Sequence, residues 1–156
     1  MATLTITLTE SLTLGDGSGT DRGTTNTQTL SVNEVDHRIM DIGTSWTEVL
    51  KFGSSAAAGT FKDDSVKYLR ITNLDSANYI TLRVYSTTGT SMEYFVKVES
   101  EGSSEGGNHF ILGVTAMDAE NYTGFGDGGT LVNIDGIDAK ADTAAVQIEY
   151  FVAAQD

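Results

Sequence analysis

The chain has 156 residues, 39% hydrophobic and 20% charged, a composition that can bury one substantial core and is neither disordered nor helical-bundle-like. It contains no Cys, which excludes a disulfide framework, a thiolate zinc site and a thiol nucleophile, and no Pro, which leaves its turns to Gly, Asn and Asp. The formal net charge is −13 with no cluster of Lys or Arg, a field that repels phosphate backbones, so direct nucleic-acid binding is not expected.

Thr is the commonest residue, followed by 17 Gly. Thr suits a pleated surface and Gly permits the positive φ of tight turns, so many strands joined by short loops are expected. The opening residues Met1 to Ile6 alternate and carry no basic region, apolar block or cleavage site, which predicts synthesis in a cytoplasm. No stretch approaches the roughly 20 apolar residues that cross a bilayer, so no membrane partner is expected.

Over residues 4 to 14, Leu4, Ile6, Leu8, Leu12 and Leu14 take even positions and Thr3, Thr5, Thr7, Thr9 and Thr13 odd ones, the period of a strand with one wet face. Gly15 to Gly19 ends it. Thr27 to Val32 and Val35 to Ile42 are the next two strands, and Trp46, Leu50 and Phe52 are expected to share a face on a segment ended by Gly53. Residues 54 to 60 read as a loop. Val66 to Thr72 and Asn78 to Tyr85 are strands, the second with Ile80, Leu82 and Val84 on its core face, and Asn73 to Ala77 has the turn chemistry of a hairpin between them. After a turn at Thr87 to Thr90, Met92, Tyr94, Val96 and Val98 alternate, and Glu101 to Asn108 is an exposed acidic connection. Phe110 to Val114 is a strand, Thr115 to Tyr122 a candidate short helix, and 124 to 129 a Gly-rich loop. Leu131 to Ile134, a turn at Asp135-Gly136, and Ala144 to Val152 close the chain. About ten short strands without a long amphipathic helix predict an all-β fold, an antiparallel, jelly-roll-like β-sandwich. It is read as a single domain over 1–156 with an extended N-terminal strand within 1–14.

Candidate chemistry is sparse. Gly102-Ser103-Ser104-Glu105-Gly106 matches G-x-S-x-G but sits in a soft loop before a strand, and His109 follows too closely to be a separately placed base. Gly124, Gly126 and Gly129 fit G-x-G-x-x-G, yet a strand rather than a helix is expected to follow. Asn121-Tyr122-Thr123 is a glycosylation sequon in form only. His37 and His109, the two imidazoles, are expected to be lone strand residues rather than a pair. Calcium is the one ligand the loops admit: Asp16, Ser18 and Asp21, or Asp135 and Asp138, place hard oxygens beside Gly, though without the EF-hand order. Trp46, Tyr79, Tyr85, Tyr94 and Tyr122 would make a sugar-stacking platform if they aligned. Tyr79 and Tyr85 share a strand face opposite Ile80, Leu82 and Val84, and with Trp46 they are read as interface residues.

The segments Tyr68-Leu69-Arg70-Ile71-Thr72-Asn73-Leu74-Asp75, Tyr79-Ile80-Thr81-Leu82-Arg83-Val84, Tyr94-Phe95-Val96-Lys97-Val98 and Phe110-Ile111-Leu112-Gly113 resemble small tailed-bacteriophage virion proteins, in which an I-x-N-x-D turn joins two strands of a β-sandwich. The resemblance covers about a third of the chain and none of the first 65 residues. It implies a homo-oligomeric virion structural protein without catalytic residues or a required cofactor: a capsid decoration or cement subunit bound to the major capsid protein or another virion protein, located in the virion. A trimer is favoured by analogy. The alternatives are a tail or fibre-associated virion protein and a carbohydrate-binding β-sandwich module.

Overall fold

A computed structural model describes residues 2–12, 22–63, 65–87, 92–113 and 134–155. Its strands are β1 (Ala2–Leu12), β2 (Arg22–Val32), β3 (Glu34–Ile42), β4 (Thr47–Gly53), β5 (Thr60–Lys62), β6 (Val66–Asn73), β7 (Ile80–Ser86), β8 (Met92–Val98), β9 (His109–Gly113), β10 (Gly136–Ala141) and β11 (Val146–Ala154). No helix occurs among the described residues. The expected short helix over 115–122, the Gly-rich loop at 124–129, the sequon at Asn121 and the strand residues 131–133 lie outside them.

The strands form a two-stranded ribbon β1-β2, a five-stranded sheet β5-β4-β10-β7-β8 and a four-stranded sheet β3-β11-β6-β9. Setting aside the ribbon and the short β5, which joins β4 in parallel, eight strands remain. In chain order they lie first-eighth-third-sixth in one sheet and second-seventh-fourth-fifth in the other. That order is the jelly roll, two Greek keys folded face to face.

The core lies between the two sheets and follows period-two alternation. Ile42 from β3, Leu69 and Ile71 from β6, and Ile148 and Val152 from β11 meet Leu50 and Phe52 from β4, Ile80 and Leu82 from β7, and Ile137 and Ala139 from β10. Leu82 is fully buried as expected, Val84 is half-buried against the same core, and Arg83 points outward.

Three expectations need correction. Asn73 to Ala77 is not a hairpin turn, because β6 and β7 belong to different sheets; the segment carries the chain across the sandwich. Its turn chemistry is real but local: Asp75 Oδ1 accepts hydrogen bonds from the Ala77 and Asn78 amides at 2.8 and 2.6 Å. Gly136, expected in a turn, opens β10, an interior strand that the sequence pattern conceals because two of its inward residues, Ala139 and Ala141, are small. Trp46 does not share the face of Leu50 and Phe52. It precedes β4 and turns over the outside of the sheet, while they are buried inside.

The crossing depends on Asn73, a fully buried polar residue at the end of β6. Its Nδ2 donates to the carbonyls of Asn78 at 2.8 Å and Glu99 at 3.1 Å, and its Oδ1 accepts the Asp75 amide at 3.0 Å. Its own amide donates to Asn108 O at 2.8 Å. Asn73→Ala should destabilise the fold by about 2–4 kcal/mol, because two carbonyls and an amide lose their partner together. Leu82→Ala should cost about 2–5 kcal/mol by leaving a cavity. Urea unfolding midpoints at neutral pH measure both, and a cost near zero at Asn73 would remove it from the organising role assigned here.

Candidate functional site

Residues with outward parity on the five-stranded sheet build a compact surface around Arg83. The Arg83 guanidinium donates Nη1 to Glu93 Oε1 at 3.0 Å and Nη2 to Asp138. It lies 5.0 Å from the Trp46 ring centroid and 5.3 Å from that of Tyr85, within cation–π range of both. Trp46 also contacts Phe95, with centroids 5.9 Å apart, and Lys140 Nζ lies 6.0 Å from the Trp46 ring. Towards the end of the face, Lys97 Nζ sits 4.4 Å from the Tyr79 ring and pairs with Glu99 at 2.5 Å and Glu105 at 3.5 Å. Asp138 raises the pKa of Arg83, Glu99 raises that of Lys97, and burial raises that of the Tyr85 hydroxyl.

The three expected interface residues, Trp46, Tyr79 and Tyr85, thus lie on one sheet face, where Arg83 brings Trp46 and Tyr85 together and Tyr79 stands apart beside Lys97. Phe95 and Arg83 belong there too. The signal for Phe95 was its odd position between Tyr94 and Val96, and that for Arg83 its place between Leu82 and Val84. Tyr94 is exposed but lies on the opposite parity, so the described aromatics do not form the single line a sugar platform would need, and Tyr122 lies outside the described residues. Gly136 is what lets Tyr85 lie flat: a Cβ built there would stand 2.6 Å from Tyr85 Oη, 2.8 Å from its Cζ and 3.0 Å from the Leu50 carbonyl oxygen.

The outer face of the four-stranded sheet is different in character. The root of the ribbon packs on it, with Leu4, Ile6, Leu30 and Val32 against Tyr68, Phe151 and Ala153. Further out the ribbon stands away from the sheet over a cleft of about 560 Å³, floored by Tyr68, Arg70, Thr72 and Glu149 and reached by Ile6 and Leu8. Glu149 accepts from His37 Nε2 at 2.6 Å and from Arg70 Nη2 at 2.7 Å. His37 also meets the Phe151 ring at 5.8 Å. His37 on β3 and His109 on β9 occupy opposite edges of this sheet, roughly 14 Å apart by strand spacing, and do not converge.

Of the calcium candidates, Asp16, Ser18 and Asp21 lie outside the described residues. Asp135 accepts from the Thr87 amide and, at 2.6 Å, from Thr87 Oγ1, while Asp138 is held by Arg83. The two carboxylates serve separate protein donors, and among the described residues no group of three His, Asp or Glu side chains could hold a metal ion. The loop bearing Ser104 joins β8 to β9, without the strand-to-helix turn that would present a nucleophile.

Gly136→Ala should displace Tyr85 and destabilise the fold by about 1–3 kcal/mol. In a Tyr85→Ala background the penalty should shrink, since only the Leu50 oxygen still opposes the methyl group; equal penalties in both backgrounds would show that the ring is not the obstacle. The His37 hydrogen bond, assisted by Arg70, holds the Glu149 carboxyl below the ordinary glutamate range. A depressed carboxylate stabilises the fold above its unfolded pKa, and that stabilisation is lost as pH falls through the folded value. Glu149→Gln should therefore flatten the acid limb of a plot of urea midpoint against pH.

No protein-family model and no curated protein matches the chain. Among solved structures, a chain from Bacillus endospore appendages, described as "a novel family of disulfide-linked pili", is similar at 10% identity and a TM-score of 0.42, covering 79% of this chain and 88% of that one. A similarity of that size carries no argument about function.

Proposed function

We propose that the chain is a non-catalytic structural subunit, a jelly-roll protein that assembles as a homo-oligomer on a virus particle as a capsid decoration or cement protein. The observation that carries this reading is the convergence of Trp46, Phe95 and Tyr85 around Arg83 on one sheet face, which Tyr79 and Lys97 extend. Aromatic and Arg side chains in one patch are the composition of protein interface centres. The jelly roll hosts capsid domains, which is support at the level of fold only. A tail or fibre-associated position is the second form of the same reading.

A carbohydrate-binding module is the competing class, because the jelly roll also hosts lectins and Trp46 is 39% exposed. Arg83 beside Trp46 and Tyr85, and Lys97 beside Tyr79, weigh against it. These cations stand over rings that stacked sugars would need free.

The test is stoichiometric co-purification with a particle, followed by the Trp46→Ala, Phe95→Ala double variant. Retention on the particle should fall about tenfold, with little change in unfolding midpoint because both side chains are exposed. Copies carrying −13 repel one another over a Debye length of ~8 Å at physiological salt and ~30 Å at 0.01 M, so retention should weaken as salt is lowered. Binding to glycans that is lost with Trp46 and indifferent to salt would replace this reading with the carbohydrate-binding one.

A further inference from the structure

The ribbon β1-β2 is built unlike the other sheet edges among the described residues. Its register runs without a bulge from Ala2 opposite Val32 to Leu12 opposite Arg22, about 36 Å of strand. Residues paired across it share a face, and one face consists of Thr3, Thr5, Thr7, Thr9 and Ser11 against Ser31, Thr29, Thr27, Thr25 and Gly23. Thr7 and Thr27 bring their hydroxyls within 3.4 Å, as do Thr9 and Thr25. On the other face of β1, Leu4 and Ile6 reach the body, but Leu8 and Leu12 are each 52% exposed.

Free strand edges are ordinarily protected by shortness, charge, Pro or a bulge. The sandwich edges obey this: β5 has three residues and β9 five, β3 carries Glu34, Asp36, Arg38 and Asp41, and β8 carries Glu93 and Lys97. β1 has eleven residues and one charge, Glu10, and among the described residues pairs with β2 alone. The only other charge on the two strands is Arg22, so their net charge is −1 + 1 = 0, and the −13 lies in the rest of the chain, Asp16 and Asp21 between them included.

The geometry points to β1 as the assembly edge, pairing antiparallel with β1 of a second copy of this chain. Two features select a second copy. An electroneutral arm is where two strongly acidic bodies approach with least repulsion. The period-two pattern is also self-complementary. In any antiparallel pairing of even residue sum, Thr meets the hydroxyl face and Leu or Ile the apolar one, giving a four-stranded sheet about a twofold axis. β2 is the poorer edge, since Asn26 and Gln28 interrupt its apolar face and its end is tied to the body through the Asn33 amide on Ala154 O. The inference rests on the reading of the chain as a self-assembling subunit and specifies how it assembles.

The Cys-free sequence makes the contact directly readable. Single variants Thr5→Cys, Ile6→Cys, Thr7→Cys and Leu8→Cys are oxidised in purified protein, with exposed Ser54→Cys as control. At a twofold axis one residue faces its own copy at a Cα distance a disulfide can span. One position should therefore cross-link most strongly, with the yield falling on either side and the control staying monomeric. Thr7→Lys, which places like charges across the axis, should weaken self-association about tenfold in sedimentation while circular dichroism and the unfolding midpoint stay as in the parent. An oligomer that forms without arm cross-links, or a trimer that survives Thr7→Lys, would overturn the arm contact and leave the proposed function standing. A monomer at high micromolar concentration that still binds particles would overturn the arm contact alone, whereas a monomer that binds none would remove both.

Discussion

The described structure turns on the hydrogen bonds of one buried side chain. A jelly roll requires the chain to leave one sheet and enter the other repeatedly, and each crossing threatens to bury backbone groups without partners. Asn73 resolves this where β6 hands over to β7. It offers two donors, to the carbonyls of Asn78 within the crossing and Glu99 beyond β8, and one acceptor to the turn itself. Through Asn108 O and Glu99 O it also fixes both ends of the β8–β9 connection, and Asn108 Nδ2 returns a bond to Asn73 O at 3.3 Å. No apolar residue could take this place, because the groups it satisfies would then be desolvated and unpaired.

The sequence made the fold class legible because most strands obey period two with apolar residues large enough to register. Ile80 and Leu82, or Val146, Ile148, Tyr150 and Val152, leave little doubt about facing. What it did not reveal were the places where tertiary context overrides local chemistry. Asn73 to Ala77 looks like a hairpin turn because Asp75 organises a tight turn, and nothing local says that the strands it joins lie in different sheets. Asp135-Gly136 looks like a turn for a similar reason. There the Gly is required by the Tyr85 ring above it rather than by a positive φ. The three interface candidates were legible as aromatics off the core parity, but the meeting of Trp46 and Tyr85 around Arg83 was not, since Trp46 reaches that face from outside β4.

Charge and apolar surface are distributed in opposite senses. Among the described residues nearly every charge lies in the sandwich, often in local pairs such as Arg83 with the buried Asp138 and Arg70 with Glu149, the latter contributing modestly because its side chains are partly solvated. The ribbon carries almost none and leaves Leu8 and Leu12 half in water. A lone ribbon is marginally stable, so its root needs the Tyr68, Phe151 and Ala153 patch to hold it. Among the described residues, no such cluster supports its outer half.

The small residues of β10 show how the fold and the exposed face constrain each other. The strand lies between β4 and β7, where Ile137, Ala139 and Ala141 point inward and Gly136, Asp138 and Lys140 outward. Ala at two inward positions lets the facing sheet approach closely, so its large side chains fill the core. On the other side, Gly136 makes room for Tyr85, buried Asp138 anchors Arg83, and Lys140 approaches Trp46. The register with β7 is thereby specified from both faces, since a slip of one residue would place Asp138 in the core and remove the partner of Arg83. The bulge between Ile137 and Asp138 changes the register only towards β4, and leaves the pairing that holds the aromatic face in step with the core.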